Sequence, residues 1–267
     1  MLKRLLFLSY LVFSFFILSG QNIDIDSLNS HNAYKVGEKL IYEVKYKLIK
    51  GGEASLSLDL FQNGDEYVYY ARADARTTGS ARLVANIHDT YETYFDMFTG
   101  YPIRATRTIQ ENHYWYYNDV IFYQDSGKVW SMRSGIKTVP TPILDILSAY
   151  YFARRFLFDR EFKQGQIIDL TTYFEDRIFP AKIKFKKVTK VRTKFGRVEA
   201  LLFVPALDAK DNPFKRENDL LIWFSNDGNY IPLKVRMRTP FGSVKAELID
   251  YENLNYPFGQ KYTPKSN

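Results

Sequence analysis

No cysteine occurs anywhere in the 267 residues. That absence excludes disulfides, thiolate metal sites and cysteine nucleophiles. It also removes the residue that would carry the lipid of a bacterial lipoprotein. Histidine is scarce: His31, His88 and His113 are the only three, and none has a second histidine at ligand spacing. His88 with Asp89 and Glu92 comes nearest to a ligand cluster, and at a strand start it reads as polar surface. There is no Gly-x-Ser-x-Gly elbow and no glycine-rich phosphate loop. Glu175 and Asp176 are adjacent, so on a strand they face opposite ways and do not form a glycosidase pair. The sequence thus offers no catalytic constellation, metal centre or cofactor motif, and it reads as noncatalytic.

Long apolar runs are equally few. One extends over fourteen residues, from Leu5 to Leu18, behind Lys3 and Arg4 and ahead of Ser19 and Gly20. A basic start, an apolar middle and a small-residue exit make a secretory signal peptide over residues 1–20. An uncleaved anchor is the alternative, but a spanning helix needs about 20 apolar residues. No second run of that kind follows, and the expected localisation is the periplasm or cell envelope. The formal charge is +7, and removing Lys3 and Arg4 from an acid-free leader leaves +5. Outside the cytoplasm such an excess favours lipid headgroups or acidic glycans over nucleic acid.

What is present is aromatic and alternating. Tyr and Phe occur 21 times each, a composition that favours strands. Leu40, Tyr42, Val44, Tyr46 and Leu48 alternate with Glu43, Lys45 and Lys47, giving a strand with one apolar face. Gly51-Gly52 reads as a tight turn, Ala54 to Leu60 as a second strand, Asn63-Gly64 as a hairpin turn and Tyr67 to Arg76 as a third strand. Further strands are expected over 90–97, 103–109, 114–123, 129–133, 167–174, 183–195, 198–204, 220–224, 231–238 and 243–251. One segment breaks the period of two. Thr141-Pro142 is a helix start, and Ile143, Ile146, Leu147, Tyr150, Tyr151 and Arg154 follow at helical spacing. The spacing predicts one substantial helix over about 142–157. The expected architecture is mainly β: one domain over 21–256, a single large curved antiparallel sheet or open half-barrel with that helix on it, and a frayed tail over 257–267.

Several of these segments, in order, resemble an exported bacterial family catalogued as domain of unknown function number 3108. They are Val36-Gly37-Glu38-Lys39-Leu40-Ile41-Tyr42, Gly51-Gly52, Tyr91-Glu92-Thr93-Tyr94-Phe95-Asp96 with Tyr101-Pro102, and Thr141-Pro142-Ile143-Leu144-Asp145-Ile146-Leu147-Ser148. Later come Leu221-Ile222-Trp223-Phe224-Ser225-Asn226-Asp227, Ile231-Pro232-Leu233 and Gly242-Ser243-Val244-Lys245-Ala246-Glu247-Leu248. The resemblance implies an exported β-rich protein without an assigned activity, and it supplies no site residue.

Two features invite a functional reading. Lys182, Lys184, Lys186, Lys190, Arg192 and Lys194 share one parity, which would make one strand face cationic: either a solvated face or an attraction for anionic lipid or glycan. Tyr114, Trp115, Tyr116 and Tyr117 put rings on both faces of a strand. One set is expected under the helix, or lining a groove for an acyl chain or sugar. The leading expectation is a binder of an amphiphile or envelope component, with membrane association peripheral at most. The alternatives are a small outer-membrane β-barrel and a scaffold that binds another envelope protein along a strand edge.

Overall fold

The computed structural model describes residues 32–47, 49–158, 160–207, 214–240 and 242–262, so the expected leader lies outside the described residues. Among them, no helix is long and apolar enough to cross a membrane.

Alternation sets the first strand, β1 (Glu38–Tyr46): Leu40 and Tyr42 are buried, while Lys39 and Ile41 turn to the other side. It pairs with β2 (Ile49–Asn63), with Tyr46 opposite Ile49. The reversal therefore falls at Lys47, whose φ is +55°, and not at Gly51-Gly52. Those glycines lie inside β2, beside a register shift between Val44 and Lys45. Gly52 is there for close approach: a Cβ on it would sit 2.3 Å from the carbonyl oxygen of Arg76 in β3 (Glu66–Thr77). The Asn63-Gly64 hairpin forms as expected, with Gly64 at φ +65° and Asn63 paired to Glu66.

The chain continues through β4 (Ile87–Phe95), β5 (Pro102–Glu111), β6 (Tyr114–Tyr123), β7 (Lys128–Ser131) and β8 (Gly135–Thr138), each paired to its predecessor. The expected strand over 167–174 is two strands. The Asp169 carboxylate accepts from the Thr171 amide and hydroxyl, which turns the backbone. Before that turn, β9 (Ile167–Asp169) joins the main sheet. After it, β10 (Thr172–Phe174) pairs with β11 (Arg177–Phe179) in a separate two-stranded sheet. A second meander follows, of β12 (Lys182–Thr193), β13 (Gly196–Pro205), β14 (Leu220–Ser225), β15 (Pro232–Thr239) and β16 (Gly242–Glu252). Its last strand pairs with β1. The result is one open antiparallel sheet of fourteen strands in the order β8-β7-β6-β5-β4-β3-β2-β1-β16-β15-β14-β13-β12-β9, a half-barrel with edges at β8 and β9.

One helix, α1 (Ile146–Leu157), fills the concave face. It begins four residues later than the sequence suggests. Leu144 is held extended by a bridge to Thr172, with its carbonyl accepting from the Tyr173 amide at 2.7 Å. The cap is therefore Asp145 and not Thr141: its carboxylate accepts from the amides of Leu147 and Ser148, and Ser148 Oγ accepts from the Asp145 amide at 2.9 Å. Leu147, Tyr151 and Leu157 pack with Leu58, Tyr69 and Phe95 of the first meander and with Phe185, Leu201 and Phe203 of the second.

Arg154 of α1 fixes the helix to both meanders. It is wholly buried, and all five of its N–H donors are used. Nη1 and Nη2 fork onto Glu38 at 2.5 and 2.7 Å. The remaining donors reach the Tyr150 hydroxyl and the carbonyls of Ala33 and Asn229 at 3.1, 3.1 and 3.0 Å. Burial opposes its charge, but the Glu38 carboxylate and the neighbouring tyrosine hydroxyls more than offset this and hold its pKa above the ordinary value.

The convex face of the central strands is polar. Lys45 bridges Glu43 and Glu247, Lys234 joins Glu247, and Arg72 pairs with Glu92. The segment from Pro257 to Tyr262, expected to fray, lies against the domain instead: Phe258 stacks on Tyr251 at 4.8 Å and Tyr262 on Phe158 at 5.2 Å. Residues 263–267 lie outside the described residues.

Candidate functional site

The pleat of β6 separates the four aromatic candidates. Tyr116 is on the concave side, paired with Ile109, while Trp115 and Tyr117 stack on the convex side with centroids 6.3 Å apart. Tyr114, at the strand start, is exposed. What covers Tyr116 is the β10–β11 hairpin and not α1. Arg107 of β5 lies between them, with its guanidinium 5.3 Å from the Tyr116 ring centroid and 4.8 Å from that of Phe174. The hairpin turn places Glu175 and Asp176 at φ +50° and +57°, so they are turn residues and not strand neighbours. Glu175 meets Arg107 at 3.3 Å. Asp176 accepts from Ser131, Ser134 and Asn118. Burial works against the Asp176 charge, and these donors hold its carboxyl below the usual range. The cleft left between hairpin and sheet is about 50 Å³. That is room on the order of a water or two, not an acyl chain or a sugar ring. His88 is elsewhere, 2.9 Å from Asp74 on the convex face, and no group of three or more potential metal ligands occurs among the described residues.

The cationic stripe does not share one face. A bulge between Phe185 and Lys187 flips the alternation: Lys184 pairs opposite Val204 but Lys190 opposite Glu199. Lys182 is neutralised by Asp169 at 3.0 Å, and Lys184 and Lys186 both hold Glu217, at 2.7 and 2.8 Å. Those two lysines bring the Glu217 pKa down to about 2. Lys194 donates to the Ile249 carbonyl. Lys190 and Arg192 are turned to the same face as Val188, across from Glu199 and Arg197.

That flip shapes an apolar groove on the concave face. Beyond the C-terminus of α1, an open groove of about 580 Å³ runs over Phe185, Val188 and Leu201, between Phe162 and Tyr262. Phe185 and Leu201 are buried in its floor, whereas Val188 is 50% exposed. Arg160 and Lys261 lie at its rim with Glu161, and Asp227 is turned inward onto Ser225 and the amides of Asn229, Tyr230 and Gly259. Along β12, the apolar floor gives way to Lys190 and Arg192. The volume falls within the roughly 300–1,000 Å³ of small-molecule sites. Sequence reasoning missed this groove, although a signal was present: Ile183, Phe185 and Val188 step by two and then three, which is the mark of a bulge.

The model of a protein family of unknown function, DUF3108, matches residues 41–249. No curated protein matches. Among solved structures, a β-barrel-like protein of the unknown-function family DUF1849 from Brucella abortus is similar over 81% of this chain and 97% of its own, at 14% identity and a TM-score of 0.52. That likeness is one of fold. A DUF1089 family protein from Pseudomonas aeruginosa aligns at 11% identity and a TM-score of 0.34, covering 79% of this chain and 92% of its own. A hypothetical protein from Chlamydia trachomatis aligns at 11% identity and 0.33, covering 90% and 96%.

Proposed function

We propose, for a chain that belongs to the family of unknown function DUF3108, a noncatalytic role: binding an anionic amphiphile in the concave groove of the half-barrel, in the cell envelope after loss of the leader. The observation that carries this reading is the groove itself, about 580 Å³ with Phe185, Val188 and Leu201 as its floor. Rings and branched chains suit an acyl tail, and each buried methylene contributes about 0.8 kcal/mol. Lys190 and Arg192, next along the same strand face, suit an anionic head. Two features weigh against a membrane barrel: the sheet has free edges at β8 and β9, and its central convex face carries ion pairs where a lipid-facing belt would be apolar.

The test is mass spectrometry of an organic extract of the protein isolated from its native envelope. A bound amphiphile is expected from the wild type, and a depleted one from Val188→Glu, which puts a charge on the groove floor. An empty wild-type extract, or a Val188→Glu extract as full as the wild type, would overturn the reading.

A further inference from the structure

The convex face changes character at the β8 edge. Across the central strands it is a lattice of ion pairs, but over β6, β7 and β8 it carries a registered apolar row. Ile121 is opposite Trp130, and Trp130 is opposite Ile136. Ile136 is 68% exposed, and Met132, whose amide bonds the Asp119 carbonyl beside this row, is 59% exposed. On the same face of β6, Tyr123 stands opposite Lys128 and Trp115 stacks along Tyr117, with Trp115 63% exposed. Two of the three tryptophans in the chain are therefore gathered on this one patch. Its acid, Asp119, is closed by a bidentate contact from Arg104 at 2.9 and 2.7 Å. Lys128 is left as an exposed cation, whereas Arg133 turns to the other side and lies 4.6 Å from the Tyr116 ring centroid.

We infer that this edge of the convex face docks on an anionic lipid surface. The chemistry suits one. Indole and phenol rings sit at the headgroup level, with their apolar bodies inward and polar tips in the wet layer. Ile136 and Met132 supply the apolar insertion. Lys128, with the Asp119 carboxylate already neutralised by Arg104, matches negative headgroups. A protein partner would instead exploit the free backbone of β8, which is only four residues long. This surface is on the opposite side of the sheet from the groove, so it stands or falls independently of the amphiphile reading.

The experiment is vesicle flotation of the envelope-isolated protein, comparing wild type with variants so that contributions from outside the patch cancel. Wild type is expected to float with phosphatidylglycerol–phosphatidylcholine vesicles and to be released as salt is raised. Trp115→Ser and Ile136→Ser, both at exposed positions, should each weaken binding about tenfold, with unfolding temperatures unchanged. Lys128→Glu should lower binding to anionic vesicles and leave any binding to pure phosphatidylcholine as it was. No flotation of the wild type, or flotation equal in all three variants, would overturn the inference. So would sedimentation showing a dimer that Ile136→Ser dissociates, because the patch would then be an interface between copies.

Discussion

Replacing Arg154 with methionine keeps the length of the side chain and removes five hydrogen-bond donors at once. The Glu38 carboxylate, 1% exposed, would be left charged with no cation, and the carbonyls of Ala33 and Asn229 would lose their donors. Removing one member of a buried ion pair costs about 3–5 kcal/mol, and the orphaned carbonyls push toward the upper end. Against a typical total of about 5–15 kcal/mol, that is a large fraction. For a domain of this size it corresponds to a melting temperature lower by about 6–20 °C. The assay is denaturant and thermal unfolding of wild type, Arg154→Met, Glu38→Leu and the double variant. The double variant should recover much of the loss, because two apolar side chains replace a pair whose desolvation is itself expensive. Arg154→Lys should not rescue, since an ammonium cannot reproduce the planar fork onto both carboxylate oxygens. Additive losses in the double variant, or a loss below about 1 kcal/mol in Arg154→Met, would refute the argument that this pair fastens helix to sheet.

Two neighbouring glycines make a matched comparison. Gly52→Ala forces a Cβ to 2.3 Å from the Arg76 carbonyl and should cost about 1–3 kcal/mol. Gly51→Ala meets only the Val44 carbonyl at 3.7 Å and should stay within about 0.5 kcal/mol in the same unfolding assay. Glu217 has a folded pKa of about 2 against an ordinary 4.5. A depressed folded pKa means that its stabilisation is fully present above about 4.5 and is lost as pH falls toward about 2. Because the pair is at the surface, wild type should exceed Glu217→Gln by only about 0.5–1 kcal/mol near neutral pH, and unfolding curves measured across that acid window should converge.

Strand existence was legible wherever one face is buried and the other wet. β6 runs from Tyr114 to Tyr123 as the alternation and the turn at Gly127 indicate. Legibility failed where one signal has two physical causes. Gly51-Gly52 reads as a turn because glycine permits positive φ, yet here glycine is needed because another backbone lies close. Parity carried through Lys186-Lys187 assumed an unbroken pleat, and the bulge moved Lys190 and Arg192 to the other face. The helix start at Pro142 was plausible locally, but the bridge between Leu144 and Thr172 overrode it. β8, β10 and β11 span four, three and three residues, too few for a period to show. Glu38 and Arg154 are 116 positions apart, and no local pattern joins them. The groove is built from segments near 160, 188, 201 and 262, so the sequence shows the bulge but not the cavity it helps to form.

The pairing of β1 with β16 has a consequence for how the molecule comes together. Lys39 aligns with Glu252 across more than two hundred positions, so the seam at the middle of the sheet is the contact with the longest chain loop to close. Until the final strand arrives, β1 presents a bare row of amides and carbonyls, and the two meanders are separate half-sheets. Folding of this molecule is therefore slow by topology and is completed at the centre of the sheet, by the last strand in sequence. The Asn253 side-chain amide, donating to the Gly37 carbonyl at 2.9 Å, pins the two strands of this seam where β1 begins and β16 ends.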